Sequence, residues 1–213
     1  MKLYGYFRSS AAYRVRIALN LKSLSYEQVS VLLAKGAQYQ PEFGALSPQQ
    51  LVPVLYNDDG ERLLQSLAII EYLDQIYPQP RLLPEEPLQR HRVQSLALSI
   101  ACEIHPLNNV RVLNYLTREL KVSEQQKQAW YAHWVKTGFD ALESRLASEA
   151  ATGRYCHGDR VGFADIALVP QVANANRFKV DMSAYPTIRR INDACLELDA
   201  FRRAMPDNQP DAE

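Results

Sequence analysis

Residues 2–33 read KLYGYFRSSAAYRVRIALNLKSLSYEQVSVLL, and the changes of period along them decide the fold. Lys2 to Phe7 is a short aromatic and apolar run, which predicts a strand. From Ala11 to Leu21 the spacing becomes helical, with Ala11, Val15, Ala18 and Leu19 on one face. Tyr26 to Leu33 alternates and is rich in Val and Leu, predicting a second strand. Further on, Leu51–Tyr56 and Glu61–Leu64 flank the turn signal Asn57-Asp58-Asp59-Gly60, the pattern of a β-hairpin. Ser66 to Tyr77 returns to helical spacing, with Leu67, Ile70, Leu73 and Tyr77 inward. The order β-α-β, loop, β-β-α is that of a small α/β domain of the thioredoxin-like kind over residues 1–80.

Pro78, Pro80, Pro84 and Pro87 mark a linker. After Leu88 the strand signals stop, so residues 88–213 are expected to form an all-α C-terminal domain. Leu88 to Leu120 predicts one long helix kinked at Pro106. Ser123-x-x-Gln126 is a capping box opening another long helix to about Leu146, and further helices are expected over Ala164–Asn176 and Thr187–Leu196. The polar tail from Pro206 onward is expected to be loose.

Bulk properties narrow the function by exclusion. The 213 residues carry 24 Lys plus Arg and 24 Asp plus Glu, a formal net charge of zero. Such a balance gives no general affinity for nucleic acid or anionic membranes. No apolar run approaches the length of a membrane span, and the first residues lack a secretory signal, so a cytoplasmic protein is expected. Cys102, Cys156 and Cys195 form no C-x-x-C pair, which points to reduced thiols. His91, His105, His133 and His157 show no metal-ligand spacing, so no metal is expected.

Three features of the first domain carry chemistry together. Ser9 and Ser10 lie at the predicted first helix entrance, where unpaired N–H groups and the macrodipole favour an anion such as a thiolate. Either serine can equally be an N-cap. Gln65-Ser66 opens the helix after the hairpin and has the same two readings, a cap or a seat for a carboxylate. Val52-Pro53 begins the third strand; a cis bond there would turn the Val52 backbone toward an extended peptide ligand.

Their joint order resembles the glutathione site of the glutathione transferases, and the resemblance covers nearly the whole chain. It narrows to the zeta class at Ser9-Ser10-Ala11-Ala12-Tyr13-Arg14-Val15-Arg16-Ile17-Ala18-Leu19. Gln65-Ser66-Leu67-Ala68-Ile69-Ile70-Glu71-Tyr72-Leu73 matches the same class. So do Ile104-His105-Pro106-Leu107-Asn108-Asn109-Val110-Arg111 and Val169-Pro170-Gln171-Val172-Ala173-Asn174-Ala175. Departures are Ala11 where the class usually has Cys, Tyr13 where Trp is common, and Gly162 where Ser or Thr precedes the Ala-Asp pair. At that last point Asp165 keeps half of a capping box and is read as structural.

The resemblance implies a glutathione transferase fold, glutathione as cofactor, a homodimer, and cis–trans isomerisation of maleylacetoacetate, a small dicarboxylate. It implies Ser9 as the main thiolate partner, with Ser10 a second donor. Gln38, Val52, Pro53, Gln65, Ser66, His105 and Asn109 are implied to contact glutathione. Arg8, Arg111 and Arg177 are the arginines expected to hold the substrate carboxylates in bidentate fashion. Maleylpyruvate isomerisation, a general transferase activity and a non-catalytic assembly role are the rival readings. Retention of both Ser9 and Ser66 weighs against the last.

Overall fold

The computed structural model describes residues 1–212, which divide into two compact units: Met1–Leu82 joined by the chain from Leu196 onward, and Leu83–Cys195. In the first unit, strands β1 (Lys2–Gly5), β2 (Glu27–Ser30), β3 (Val54–Tyr56) and β4 (Arg62–Leu64) form one sheet in the order β2-β1-β3-β4. β1 runs parallel to β2, with Leu3 opposite Gln28, and antiparallel to β3, with Leu3 opposite Leu55. β3 and β4 make the expected hairpin, Leu55 opposite Leu63. The period of two sorts their side chains. Leu3 and Leu55 are fully buried, whereas the register partners Tyr4 and Val54 pack with Val31 and Phe43.

Helix α1 (Ser10–Leu21) is buried on all sides from Ala12 to Leu19, where the sequence spacing suggests a single apolar face. It lies so close to β1 that a Cβ placed on Gly5 would stand 3.2 Å from Ala12 Cβ. Both of its arginines are interior, Arg14 being 2% and Arg16 1% exposed. The loop after β2 contains two short 3-10 turns, Leu33–Lys35 and Ala37–Tyr39, and helix α2 (Pro41–Leu46), none of them anticipated. Gly36 joins the two turns at φ 73°, a conformation that costs a residue without Cβ little. Helix α3 (Ser66–Ile76) follows the hairpin as expected. Beyond it the proline-rich segment is anchored from within the unit. Lys22 Nζ donates to Asp74 at 2.9 Å and to the carbonyls of Tyr77 at 2.5 Å and Pro80 at 2.9 Å.

The second unit holds α4 (Pro87–Glu103), α5 (Val110–Arg118), α6 (Glu124–Ser148), α7 (Phe163–Arg177) and α8 (Pro186–Leu196), with no strand among its described residues. The single kinked helix expected over 88–120 is instead two helices. Pro106 cannot donate to a continuing ladder, and Asn109 restarts the helix by capping it, its Oδ1 accepting from Arg111 N–H at 3.1 Å. The Ser123–Gln126 capping box is complete in both directions, at 3.2 and 2.8 Å. Gly138 admits Ile104: a Cβ there would lie 2.3 Å from Ile104 Cγ1. Asp165 plays the structural part expected of it, accepting from Gly162 N–H and Cys156 N–H at 2.8 Å each.

The expected division at 88–213 needs correction at its far end. The chain from Leu196 groups with the first unit, through helix α9 (Asp199–Ala204) and the residues after it. Asn20 Nδ2 donates to the Ala200 carbonyl at 2.9 Å, and Arg16 Nε to that of Ala204 at 3.0 Å. Nor is the tail loose. Gln209 Nε2 donates to the carbonyls of Arg203 and Met205, at 2.8 and 2.7 Å, and Asp211 accepts from Phe7 N–H and Gln28 Nε2, each at 3.0 Å.

Candidate active site

Ser9 is the N-cap of α1. Its backbone is extended at φ −72° and ψ 113°, and its Oγ accepts from Ala12 N–H at 3.2 Å. A hydroxyl that accepts in a cap still has its proton to donate. Of the two serines that the sequence offered as N-cap, the cap therefore falls on Ser9. Ser10 is the first helical residue and is buried. Arg8 beside them is exposed, its guanidinium 4.7 Å from the centre of the Phe7 ring.

At the second helix entrance the cap position belongs to Gln65, not to Ser66. Gln65 has φ 68° and ψ 112° and makes no side-chain cap bond; Ser66 is the first residue of α3 and is buried. Such a backbone conformation costs a non-glycine residue about 1–3 kcal/mol and is characteristic of ligand-binding turns. Gln65 Nε2 donates to Gln49 Oε1 at 2.8 Å, and Ser66 Oγ accepts from Arg14 Nη1 at 3.5 Å. The Val52–Pro53 bond is cis. Gln38, in the second 3-10 turn, is only 4% exposed, yet among the described residues its Oε1 has no hydrogen-bond partner. A buried amide oxygen without a donor costs about 1–3 kcal/mol, which a ligand N–H would recover.

The remaining expected residues belong to the second unit. His105 lies half-buried in the break between α4 and α5, and Asn109 is the α5 cap. Arg111 is exposed in the first turn of α5. Arg177 closes α7 with its guanidinium 4.8 Å from the centre of the Phe178 ring, which stacks on Tyr131 at 3.7 Å. Burial pushes the Tyr131 hydroxyl up to about 12, against the pull of the neighbouring Arg177 cation. Arg177 is exposed, and its Nη2 donates to Asn174 Oδ1 at 3.4 Å. Among the described residues no group of three or more His, Cys, Asp or Glu side chains could hold a metal ion. No helix of the described residues is long and apolar enough to cross a membrane.

Residues 3–81 match the family model of the glutathione S-transferase N-terminal domain, and residues 128–206 that of the C-terminal domain. The chain belongs to the glutathione S-transferase family. A relative from Vibrio cholerae named as a probable maleylacetoacetate isomerase is 54% identical over 99% of this chain and 97% of its own. The solved holo structure of a maleylpyruvate isomerase, described as a bacterial zeta-class glutathione S-transferase, superposes with TM-score 0.98 at 49% identity, covering 100% of both chains. That of a maleylacetoacetate isomerase from Methylobacterium extorquens AM1, with malonate and glutathione bound, gives 0.95 at 44% identity and the same coverage.

Within this glutathione S-transferase, three residues near the candidate site escaped the reading of the sequence. Arg14 contacts Ser66, Arg16 donates to the carbonyls of Phe7 and Tyr6 at 3.1 and 3.5 Å, and Asp211 accepts from Phe7 N–H. Burial pulls the Arg16 guanidinium down to about 10, leaving it a cation at neutral pH. The available signal was two arginines set in an otherwise apolar helix, since a buried cation must be matched by fixed acceptors. Asp211 gave no local signal at all.

Proposed function

We propose that this chain is a glutathione-dependent cis–trans isomerase that converts maleylacetoacetate to fumarylacetoacetate, a step of tyrosine and phenylalanine degradation. The observation that carries the reading is Ser9, a hydroxyl fixed at the N-terminus of α1 by its bond to Ala12 N–H. The residues present fit glutathione. Gln38 Oε1 is a buried acceptor awaiting a donor, and Ser66 with the unpaired N–H groups opening α3 suits a ligand carboxylate. Glutathione bound there would supply a thiolate nucleophile for reversible covalent catalysis at the alkene.

The chain's own residues do the rest. Ser9 donates to the sulfur and holds it ionised, and Ser10 is the second donor, to sulfur or to charge developing on the substrate. Gln38, Val52, Pro53, Gln65, Ser66, His105 and Asn109 hold the tripeptide. Arg8, Arg111 and Arg177 neutralise the substrate's carboxylates, each with a planar fork of donors. Support comes from the isomerase relatives and from the malonate, itself a dicarboxylate, that accompanies glutathione in the Methylobacterium enzyme. We also assign the chain to the cytoplasm, as a homodimer, in line with its unpaired cysteines and its family.

Maleylpyruvate is the second substrate to consider, because the 49% identical zeta-class neighbour is a maleylpyruvate isomerase. Parallel assays of both diacids, with and without glutathione, decide between them. Turnover of neither diacid in the presence of glutathione would overturn the proposal.

A further inference from the structure

We infer that Asp211 and Arg16 are positioning residues for Ser9, clamping the turn that carries it; this rests on the reading of Ser9 given above. The turn between β1 and α1 is short, closed by Ser9 N–H donating to the Tyr6 carbonyl at 2.9 Å. At its middle, both backbone groups of Phe7 are taken by side chains outside the turn. Its N–H donates to Asp211 Oδ2 at 3.0 Å, and its carbonyl accepts from Arg16 Nη2 at 3.1 Å.

Each clamping group is itself held. Arg16 Nε donates to the Ala204 carbonyl at 3.0 Å and Nη1 to that of Tyr6 at 3.5 Å. Asp211 Oδ1 accepts from Gln28 Nε2 at 3.0 Å, which ties the clamp to β2. Tyr13 reinforces the same joint, its hydroxyl donating to the Phe201 carbonyl at 3.4 Å and its ring centre lying 5.4 Å from the Arg16 guanidinium. Arg16 cannot swing away cheaply, because a buried cation stripped of its acceptors is costly. The backbone leading into Ser9 is thus held by Arg16 from within α1 and by Asp211 from the far end of the chain. Burial of Arg16 alone would be served by any acceptors. Spending them on the two carbonyls just before Arg8 and Ser9, with Asp211 on the N–H between, fixes the turn on both sides. Misplacing a reacting group by about 1 Å can cost on the order of a hundredfold in rate.

The test is the full chain carrying Asp211→Ala, read by the ultraviolet absorbance of bound glutathione thiolate against pH and by the isomerase pH profile. We expect the bound thiol to titrate about one unit higher, with activity at neutral pH down about tenfold and recovered at alkaline pH. Glutathione affinity measured at acidic pH, where the bound thiol is protonated in both proteins, should be unchanged, and Asp211→Asn, which keeps an acceptor for Phe7 N–H, should restore the profile. A variant whose thiol titrates as in the parent overturns the inference, whether or not it melts earlier, because a merely structural role moves only the melting. If the parent chain itself binds no ionised glutathione, the proposed function fails. If it does so without isomerising either diacid, the thiol titration still tests the clamp.

Discussion

Replacing Ser9 by glycine separates its two roles. The side chain accepts from Ala12 N–H at 3.2 Å and is proposed to donate to sulfur. Glycine at an N-cap costs only about a few tenths of a kcal/mol relative to serine, so the fold should barely respond. The donor role is far larger. A free thiol titrates at about 8.5, and lowering that by one to two units requires roughly 1.4–2.7 kcal/mol. The N-terminus of a helix such as α1 contributes about 0.3–1 kcal/mol of this, and a hydrogen bond to a charged group about 1.5–3 kcal/mol. Ser9→Gly removes the second term. The apparent pKa in the isomerase profile should rise by about one to two units, and turnover at neutral pH should fall about ten- to a hundredfold. The assay is isomerisation at saturating glutathione across pH, with a thermal melt beside it. Ser9→Ala should lose the same activity and also about 0.5–2 kcal/mol of stability; the length of the cap bond favours the lower half. Wild-type turnover of Ser9→Gly at neutral pH would refute the reasoning and leave Ser10 or the helix end as the activator.

Ser66→Ala should raise KM for glutathione and leave turnover at saturation nearly intact, because Ser66 is assigned to the remote carboxylate; steady-state kinetics check this. Arg8→Met or Arg177→Met should raise KM for the diacid about ten- to a hundredfold, the value of about 1.5–3 kcal/mol for a charged hydrogen bond. Conjugation of a neutral chlorinated nitrobenzene by the same variants should scarcely change, and a parallel fall with both substrates would contradict the carboxylate role. Gly138→Ala drives a methyl to within 2.3 Å of Ile104, which is itself buried, so the melting temperature should drop as expected for about 1–3 kcal/mol of overpacking.

What could be read in advance was what local chemistry encodes. The Ser123–Gln126 box and the Asp165 carboxylate depend on residues three apart, and both lie where spacing placed them. The turn at Asn57–Gly60 likewise signals its own hairpin. Readings that needed a tertiary partner went astray. Helix α1 looked one-sided because arginine is ordinarily a surface residue; here the carbonyls of Tyr6, Phe7 and Ala204 make an interior place for Arg16. Polar composition made the residues after Pro206 look loose, whereas Phe7 N–H and Gln28 hold Asp211. At Ser66 the expected cap does not form: the cap position falls on Gln65, whose side chain makes no cap bond, and nothing in a glutamine announces its positive φ. In the candidate site, the cap at the head of α1 was legible, and the tertiary partners of the turn before it were not.

As proposed, glutathione is a catalyst here and not a reactant. The most direct test is isomerisation of maleylacetoacetate with glutathione far below the substrate concentration, following both the trans product and the remaining free thiol. Many turnovers per glutathione are expected, with the thiol recovered in full and no product formed without it. Consumption of one glutathione per substrate into a stable conjugate, or product formed equally well in its absence, would contradict it.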